Sequence, residues 1–148
     1  MNIKKIFFVV FLFTVTPAFG ASLKSVVGTW RLISMERQND VGQWKPRCHS
    51  PTGLITYTAQ GFMAVGINCM QSEGSKEPSS DLQDMIFYTG KYTLDNEKIT
   101  HHVMNSVGLD FFEKDLVRDI KFNPDGKISL SGKGKNGKMV RLLWESAK

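Results

Sequence analysis

Short segments that alternate apolar and polar residues, each bounded by turn-forming residues, run through most of the chain after residue 25. This two-residue period is typical of β-strands with one buried face. A capping residue at Ser80 or Asp81 predicts only one short helix, over Leu82–Ile86. Between the strands, Asn39–Pro51 and Met70–Ser80 are predicted to be polar loops. The predicted strands are Val26–Gln38, Thr52–Thr58, Gly61–Cys69, Phe87–Leu94, Lys98–Ser106, Lys114–Phe122, Lys127–Ser131 and Lys138–Trp144.

The number and spacing of these strands predict an all-β fold in a single domain that spans residues 21–148. About eight antiparallel strands with short links close most easily into an up-and-down barrel, because closure removes both exposed sheet edges. An eight-stranded barrel is wide enough to hold one small ligand or to fill itself with side chains. The alternation pattern alone is also compatible with a β-sandwich.

The first twenty residues differ from the rest and are predicted to be a secretory signal peptide. Two lysines precede an almost wholly apolar run, Ile6–Val15, and Ala18-Phe19-Gly20 then places small residues where a signal peptidase cleaves. The apolar run is shorter than the roughly 20 residues that a membrane-spanning helix requires. We therefore expect cleavage before Ala21, an exported protein (periplasmic or secreted) and no stable membrane anchor.

Composition and motifs narrow the classes of function. Two of the 19 basic residues lie in the signal segment, which leaves 17 against 14 acidic residues and a net charge of +3. These charges are scattered, so nucleic-acid binding is not expected. The sequence contains no nucleophile motif, phosphate-binding loop or histidine spacing typical of a metal site, so neither a cofactor nor a metal is expected.

The two cysteines of the chain are Cys48 and Cys69. A tight turn at Ala59-Gln60 would pair Thr58 with Gly61, so that positions facing each other across this hairpin sum to 119. The two cysteine positions sum to 117 and therefore lie close together at the open end of the hairpin. Because an exported protein can keep a disulfide, we favour a Cys48–Cys69 bridge over two free thiols.

The segment Gly28-Thr29-Trp30 at the start of the first strand resembles the Gly-x-Trp signature of lipocalins. Together with the later segments, the chain resembles the bacterial and fungal lipocalin-like domain family over Ser25–Ser146. The resemblance implies an up-and-down barrel with a core cavity, but no single activity, because function lies in the site and not in the fold. The predicted signal peptide and the cysteine pair depart from that family, so roles of its cytoplasmic members do not carry over. The later matching segments are Gly53–Thr58, Gly61–Val65, Tyr88–Tyr92, Thr100–Val103, Val117–Ile120 and Leu142–Glu145.

His101 and His102 are adjacent on one predicted strand, so only one of them can point into the barrel. His101 shares its face with Ile99 and Val103, which is the more apolar face, and is therefore predicted to point inward. There it could anchor a polar ligand group or transfer a proton. The alternative is a histidine whose hydrogen bonds are satisfied within a packed core.

Arg118 lies between Leu116 and Ile120 on an apolar strand face, where an arginine needs a partner. One possible partner is a ligand carboxylate or phosphate, which fits the guanidinium fork. The other is the Trp30 ring, since in lipocalins an arginine stacked on this tryptophan closes the base of the barrel. Arg141 could also supply that contact, but it alternates with the apolar positions of the last strand and is predicted to face outward.

Three tyrosines, Tyr57, Tyr88 and Tyr92, and Met63 also share strand faces with apolar neighbours. Such residues are usually core, but in a barrel with a cavity they would line it, and a tyrosine hydroxyl could orient a ligand. Gly28 and Trp30 are predicted to have structural roles. Ligand-binding roles are predicted for Arg118, His101, Tyr57, Tyr88, Tyr92 and Met63.

The leading hypothesis is an exported binding protein that holds a small apolar or amphipathic ligand in the barrel. A second hypothesis is an isomerase or cyclase in which His101 moves protons and Arg118 stabilises negative charge. A third is a protein-binding or inhibitor module that acts through its loops, with Phe111 and Phe112 as the best support, although one of the two is expected to cap the barrel.

Overall fold

The computed structural model describes residues 26–81, 85–134 and 136–148. The predicted signal peptide lies outside these residues. Nine strands form one sheet: β1 (Gly28–Gln38), β2 (Trp44–Pro46), β3 (Thr52–Tyr57), β4 (Phe62–Asn68), β5 (Met85–Asp95), β6 (Lys98–Ser106), β7 (Asp115–Phe122), β8 (Ile128–Lys133) and β9 (Met139–Ser146).

Sequence-adjacent strands pair antiparallel from β3 to β9, and β1 pairs with both β3 and β9. The eight strands β1 and β3–β9 thus close into an up-and-down barrel, as predicted, and the β-sandwich alternative is excluded. Strand β2 stands apart, since it pairs only with Glu36–Gln38 at the end of β1.

Two predicted local features were wrong. The polar connection Asn39–Pro51 contains β2, because Asn39 forms a turn whose side chain accepts backbone N–H bonds from Val41 and Gln43. Residues 82–84 of the predicted helix lie outside the described residues, while Met85 and Ile86 begin β5 and pair with β4. In this case the cross-strand ladder outweighs a capping preference that is weak by itself.

The β3–β4 hairpin differs by one residue from its predicted register. Tyr57 pairs with Met63 and Thr52 with Asn68, so facing positions sum to 120. The cause is the turn, in which Gly61 takes a left-handed conformation with φ +85° and donates to Thr58 O at 3.1 Å. Glycine adopts this conformation at little cost, which favours a three-residue loop over the tight two-residue turn.

The Cys48–Cys69 disulfide is present, with 5.7 Å between the two Cα atoms. It joins the loop before β3 to the residue that follows β4, at the open end of the hairpin. The prediction is therefore confirmed, since a shift of one residue does not separate the two cysteines. A disulfide in this fold is consistent with an exported protein.

The barrel is closed at the end where β1 begins. Trp30 is almost fully buried, and its indole Nε1–H donates to Val26 O at 2.9 Å. The structural role predicted for the Gly28–Trp30 segment thus has a physical basis, because the ring covers the core while its polar atom stays bonded. Within the described part of the chain, no helix is long and apolar enough to cross a membrane.

Candidate functional site

A cavity of about 310 Å³ lies inside the barrel. This volume is at the lower end of the range that small-molecule sites occupy, roughly 300–1,000 Å³. Every barrel strand contributes to its wall, because alternate residues of each strand point inward. The lining residues are Met35, Arg37, Arg47, Ile55, Val65, Ile67, Ile86, Tyr88, His101, Phe111, Arg118, Leu130, Gly134, Asn136, Val140, Leu142 and Trp144.

His101 faces the interior, as its strand face predicts, and only 1% of its surface is exposed. Both ring nitrogens are bonded to tyrosines: Nε2 lies 2.8 Å from Tyr57 Oη, and Nδ1 lies 2.9 Å from Tyr88 Oη. His102 points outward, where its Nδ1 lies 2.8 Å from Asp115. The structure therefore brings one histidine of the pair into the site and leaves the other on the surface.

Burial, aided by the positive charge of Arg118, lowers the pKa of His101 from 6.5 to about 3. His101 is consequently neutral at physiological pH, with one donor and one acceptor nitrogen. One tyrosine must donate to the ring, and the other must accept from it. Burial also raises the pKa of Tyr88 from 10.0 to about 12, so both tyrosines keep their protons.

The tyrosine that accepts a hydrogen bond from the His101 ring does not use its own hydroxyl hydrogen in this network. Tyr88 lines the cavity, whereas Tyr57 lies behind it, 1% exposed. A free hydroxyl hydrogen is costly in a sealed position and acceptable in an open one. If Nδ1–H donates to Tyr88, the Tyr88 hydroxyl hydrogen is available to the cavity; in the opposite tautomer Tyr88 donates to Nδ1 and the free hydrogen is that of Tyr57.

Arg118 also lines the cavity, although it is only 7% exposed. Its Nη1 donates to the carbonyls of Val117 and Lys133, each at 3.1 Å. The register places this bridge beyond Asp119 and Ser131, the first described pair of the β7–β8 ladder. The guanidinium therefore links two strands where their backbone pairing ends, and it also borders a groove on the outside of β7.

Gly132 makes room for this side chain. A Cβ atom at Gly132 would lie 2.8 Å from Val117 O and 3.0 Å from both Cδ and Nη1 of Arg118. Such distances are shorter than side chains tolerate, so the position of Arg118 depends on the missing side chain of its neighbour on β8.

No described residue neutralises the charge of Arg118. Within the described residues it forms no ion pair, and its Nε and Nη2 make no hydrogen bond. Of the two partners that the sequence left open for Arg118, the Trp30 ring is not in contact with it in the described chain. Arg141 makes a guanidinium–ring contact outside the barrel, 4.4 Å from the Trp44 ring. Arg118 is held near the β8–β9 hairpin by Lys133 O, away from the start of β1.

A family model described as a lipocalin-like domain matches residues 27–146, which is most of the chain. The chain belongs to the lipocalin-like domain family. No curated protein matches it. A solved structure of a redesigned β-barrel is similar to this lipocalin-like chain, with a TM-score of 0.50 and 13% sequence identity, and the match covers 89% of this chain and 100% of that one. At this identity the similarity supports the fold alone.

Sequence analysis missed Trp144 as a site residue of the lipocalin-like barrel. Trp144 lines the cavity and is 1% exposed, and its indole Nε1 is the one buried side-chain polar atom in the described residues that has no hydrogen-bond partner. An unpaired buried donor costs roughly 1–3 kcal/mol. The alternation along β9 placed this side chain inward, but no sequence signal shows whether its N–H finds an acceptor.

The remaining predicted site residues lie in the core but do not line the cavity. Tyr57 reaches the site only through His101. Tyr92 donates to Thr58 O at 2.8 Å and packs edge-on against Tyr57, with 4.9 Å between ring centroids. Met63 is buried on β4 among apolar neighbours. Of the six residues predicted to bind a ligand, Arg118, His101 and Tyr88 share the cavity wall of this lipocalin-like domain.

The loop 107–114 contributes to the same end of the lipocalin-like barrel. Phe111 is buried, lines the cavity and packs edge-on against Tyr88 with ring centroids 5.5 Å apart, while Phe112 stays partly exposed. One of the two phenylalanines thus covers the barrel, and they do not form a joint aromatic patch. Partly exposed Arg37 and Arg47, with exposed Asn136, mark where the cavity reaches the surface; none of these three was predicted.

Proposed function

We propose that this lipocalin-like protein is exported and binds one small apolar or amphipathic ligand in its barrel cavity. The observation that carries the proposal is a cavity of about 310 Å³ whose wall is mainly aliphatic and aromatic, with a few polar groups at defined positions. This combination is typical of small-molecule sites. The disulfide and the pattern of the first twenty residues support export to a periplasm or beyond the cell.

The binding proposal is tested by titrating the purified protein with N-phenyl-1-naphthylamine, a neutral dye that fluoresces in apolar surroundings. Val65→Phe adds volume at a position that lines the cavity, so we expect it to abolish the fluorescence increase. Ala64→Phe is the matched control, because Ala64 is the exposed neighbour of Val65 on the same strand, and it should bind dye like the wild type. Equal dye binding by both variants, or none by the wild type, would reject the cavity as the binding site.

Export is tested separately by expressing the full chain and determining the mass of the protein outside the cytoplasm. The expected mature protein begins at Ala21 and carries one disulfide. Recovery of the intact 148-residue chain in the cytoplasm would reject export.

One observation favours a second candidate, an isomerase or cyclase: His101 and Arg118 line the same cavity, as such an enzyme requires. The pKa of His101, lowered to about 3, argues against it, because an efficient general base has a pKa near the working pH. Both ring nitrogens are also occupied by tyrosines. For this reason binding is the function proposed here, and loss of turnover with retained binding in His101→Ala would reverse that preference.

A further inference from the structure

We propose that the ligand is an anionic amphiphile and that Arg118 binds its carboxylate or similar oxyanion. This inference deepens the proposed function and rests on it. It concerns the chemical class of the ligand, which follows from the polar groups that the cavity offers.

The polar side chains inside the cavity offer hydrogens and a positive charge, and no carboxylate is among its lining residues. Arg118 is a cation, and Trp144 Nε1 is a donor without a partner among the described residues. His101 has both nitrogens engaged by tyrosines. A complementary ligand therefore supplies acceptors and negative charge.

Among these groups, Arg118 is the best placed to bind an anionic head group. One nitrogen, Nη1, is used by two backbone carbonyls, which fixes the guanidinium in place. Nε and Nη2 are unbonded within the described chain and are not sealed off, since Trp144 Nε1 is the only sealed unpaired side-chain polar atom there. A carboxylate fits such a pair of N–H groups in a bidentate manner.

The charge of Arg118 acts within the barrel. It lowers the pKa of His101 and opposes the burial that raises the pKa values of Tyr57 and Tyr88. Arg37 and Arg47 add two more basic side chains to the cavity lining. An anionic head group entering beside Arg37 would therefore meet positive charge before it reaches Arg118.

The register places an apolar region between Arg118 and the far end of the cavity. Arg118 lies over Gly132, whereas Trp144 pairs with Ile128, four residues away along β8. At about 3.3 Å per residue this corresponds to roughly 13 Å. The wall between them includes Leu130 and Leu142, so the ligand body that extends from the head group is apolar.

The test measures displacement of N-phenyl-1-naphthylamine by decanoic acid, 1-decanol and methyl decanoate at pH 7.5. These probes share one apolar chain and differ in whether the head group is charged. We expect the acid to bind about ten- to hundredfold more tightly than the alcohol and the ester, which is the gain from one charge-assisted bidentate contact. In Arg118→Met the acid should lose this advantage, while the alcohol binds as in the wild type.

Arg118→Lys keeps the charge but not the planar fork, so it should retain only part of the preference for the acid. Arg141→Met is the matched control, because Arg141 lies on the outer surface against Glu36 and Trp44 and should leave the preference unchanged. The ratio of the affinities for the acid and the alcohol is measured on the wild-type protein alone. The test therefore remains valid even if Arg118→Met fails to fold.

Three results would overturn the inference. If the dye binds but the acid is no tighter than the alcohol, the proposed binding function stands and its anionic specificity falls. If Arg118→Met weakens acid and alcohol equally, Arg118 supports the wall and does not recognise the head group. If neither the dye nor any of the three probes binds, the proposed function itself is wrong and this inference is lost with it.

Discussion

One buried residue, His101, should contribute strongly to the destabilisation of this protein by acid. In the folded state burial lowers its pKa to about 3, whereas the ordinary value, which applies to the unfolded chain, is 6.5. Between these two values the unfolded chain binds a proton that the folded protein does not. The free energy of unfolding therefore falls as the pH drops from 6.5 towards 3.

The size of the effect follows from the two pKa values. A pH of 4.5 is two units below the pKa of His101 in the unfolded chain, so the histidine is protonated there, while in the folded protein it is still neutral. Each unit corresponds to about 1.4 kcal/mol, so His101 should lower the free energy of unfolding by roughly 2–3 kcal/mol. That loss is a large part of the roughly 5–15 kcal/mol that stabilises a typical domain.

Urea unfolding at pH 7.5 and pH 4.5, with the disulfide intact, measures this loss. Surface carboxylates such as Glu36, whose pKa is lowered by its hydrogen bond to Arg141, also contribute to acid sensitivity. The comparison is therefore made with the triple variant Tyr57→Phe/Tyr88→Phe/His101→Leu, which removes all three polar groups of the network together and leaves none unpaired. Of the groups that face His101, the two tyrosine hydroxyls are absent from the triple variant, and Arg118 keeps its charge in both proteins.

We expect the wild type to lose roughly 2–3 kcal/mol more than the triple variant between the two pH values. Equal losses in the two proteins would refute the reasoning, because they would show that His101 takes up a proton in the folded barrel as readily as in the unfolded chain.

Three further predictions concern stability. Replacing Cys48 and Cys69 by serine should lower the free energy of unfolding by about 3 kcal/mol, since the bridge closes a loop between residues 21 positions apart; an unchanged urea midpoint would contradict this. Gly132→Ala should cost about 1–3 kcal/mol because the new methyl group would lie 2.8 Å from the backbone oxygen of Val117 and crowd Arg118, and thermal unfolding of this variant beside wild type checks the loss. Trp30→Phe removes a buried hydrogen bond and should cost about 1–3 kcal/mol in urea unfolding, with retained dye binding because Trp30 does not line the cavity.

Local pattern was sufficient to predict the faces of the strands. His101 and His102 point to opposite sides because adjacent residues on a strand always do, and the apolar neighbours of His101 identify the buried face. Arg141 lies outward for the same reason. The disulfide was also predictable, since a hairpin brings its two ends together even when its register is one residue from the expected one.

Features that depend on the conformation of individual turn residues, or on partners distant in the sequence, could not be predicted. The short strand β2 exists because the end of β1 extends beyond its pairing with β3 and leaves an edge to which β2 binds. The hairpin register depended on the φ angle of a single glycine, Gly61. For Arg118 the sequence left two partners open, a ligand oxyanion and the Trp30 ring, and in the described chain it does not contact that ring.

The sequence by itself determined that this chain is built of antiparallel strands, which of their residues point inward and that the two cysteines meet, because these properties depend on alternation and on turns between neighbouring segments. Only the tertiary structure decided that a cavity of about 310 Å³ remains. That volume is the difference between the space enclosed by eight strands and the side chains that fill it, so no single segment contains it. Among the described residues, the same packing leaves Arg118 without a carboxylate and Trp144 without an acceptor, and the proposed ligand chemistry follows from these two groups.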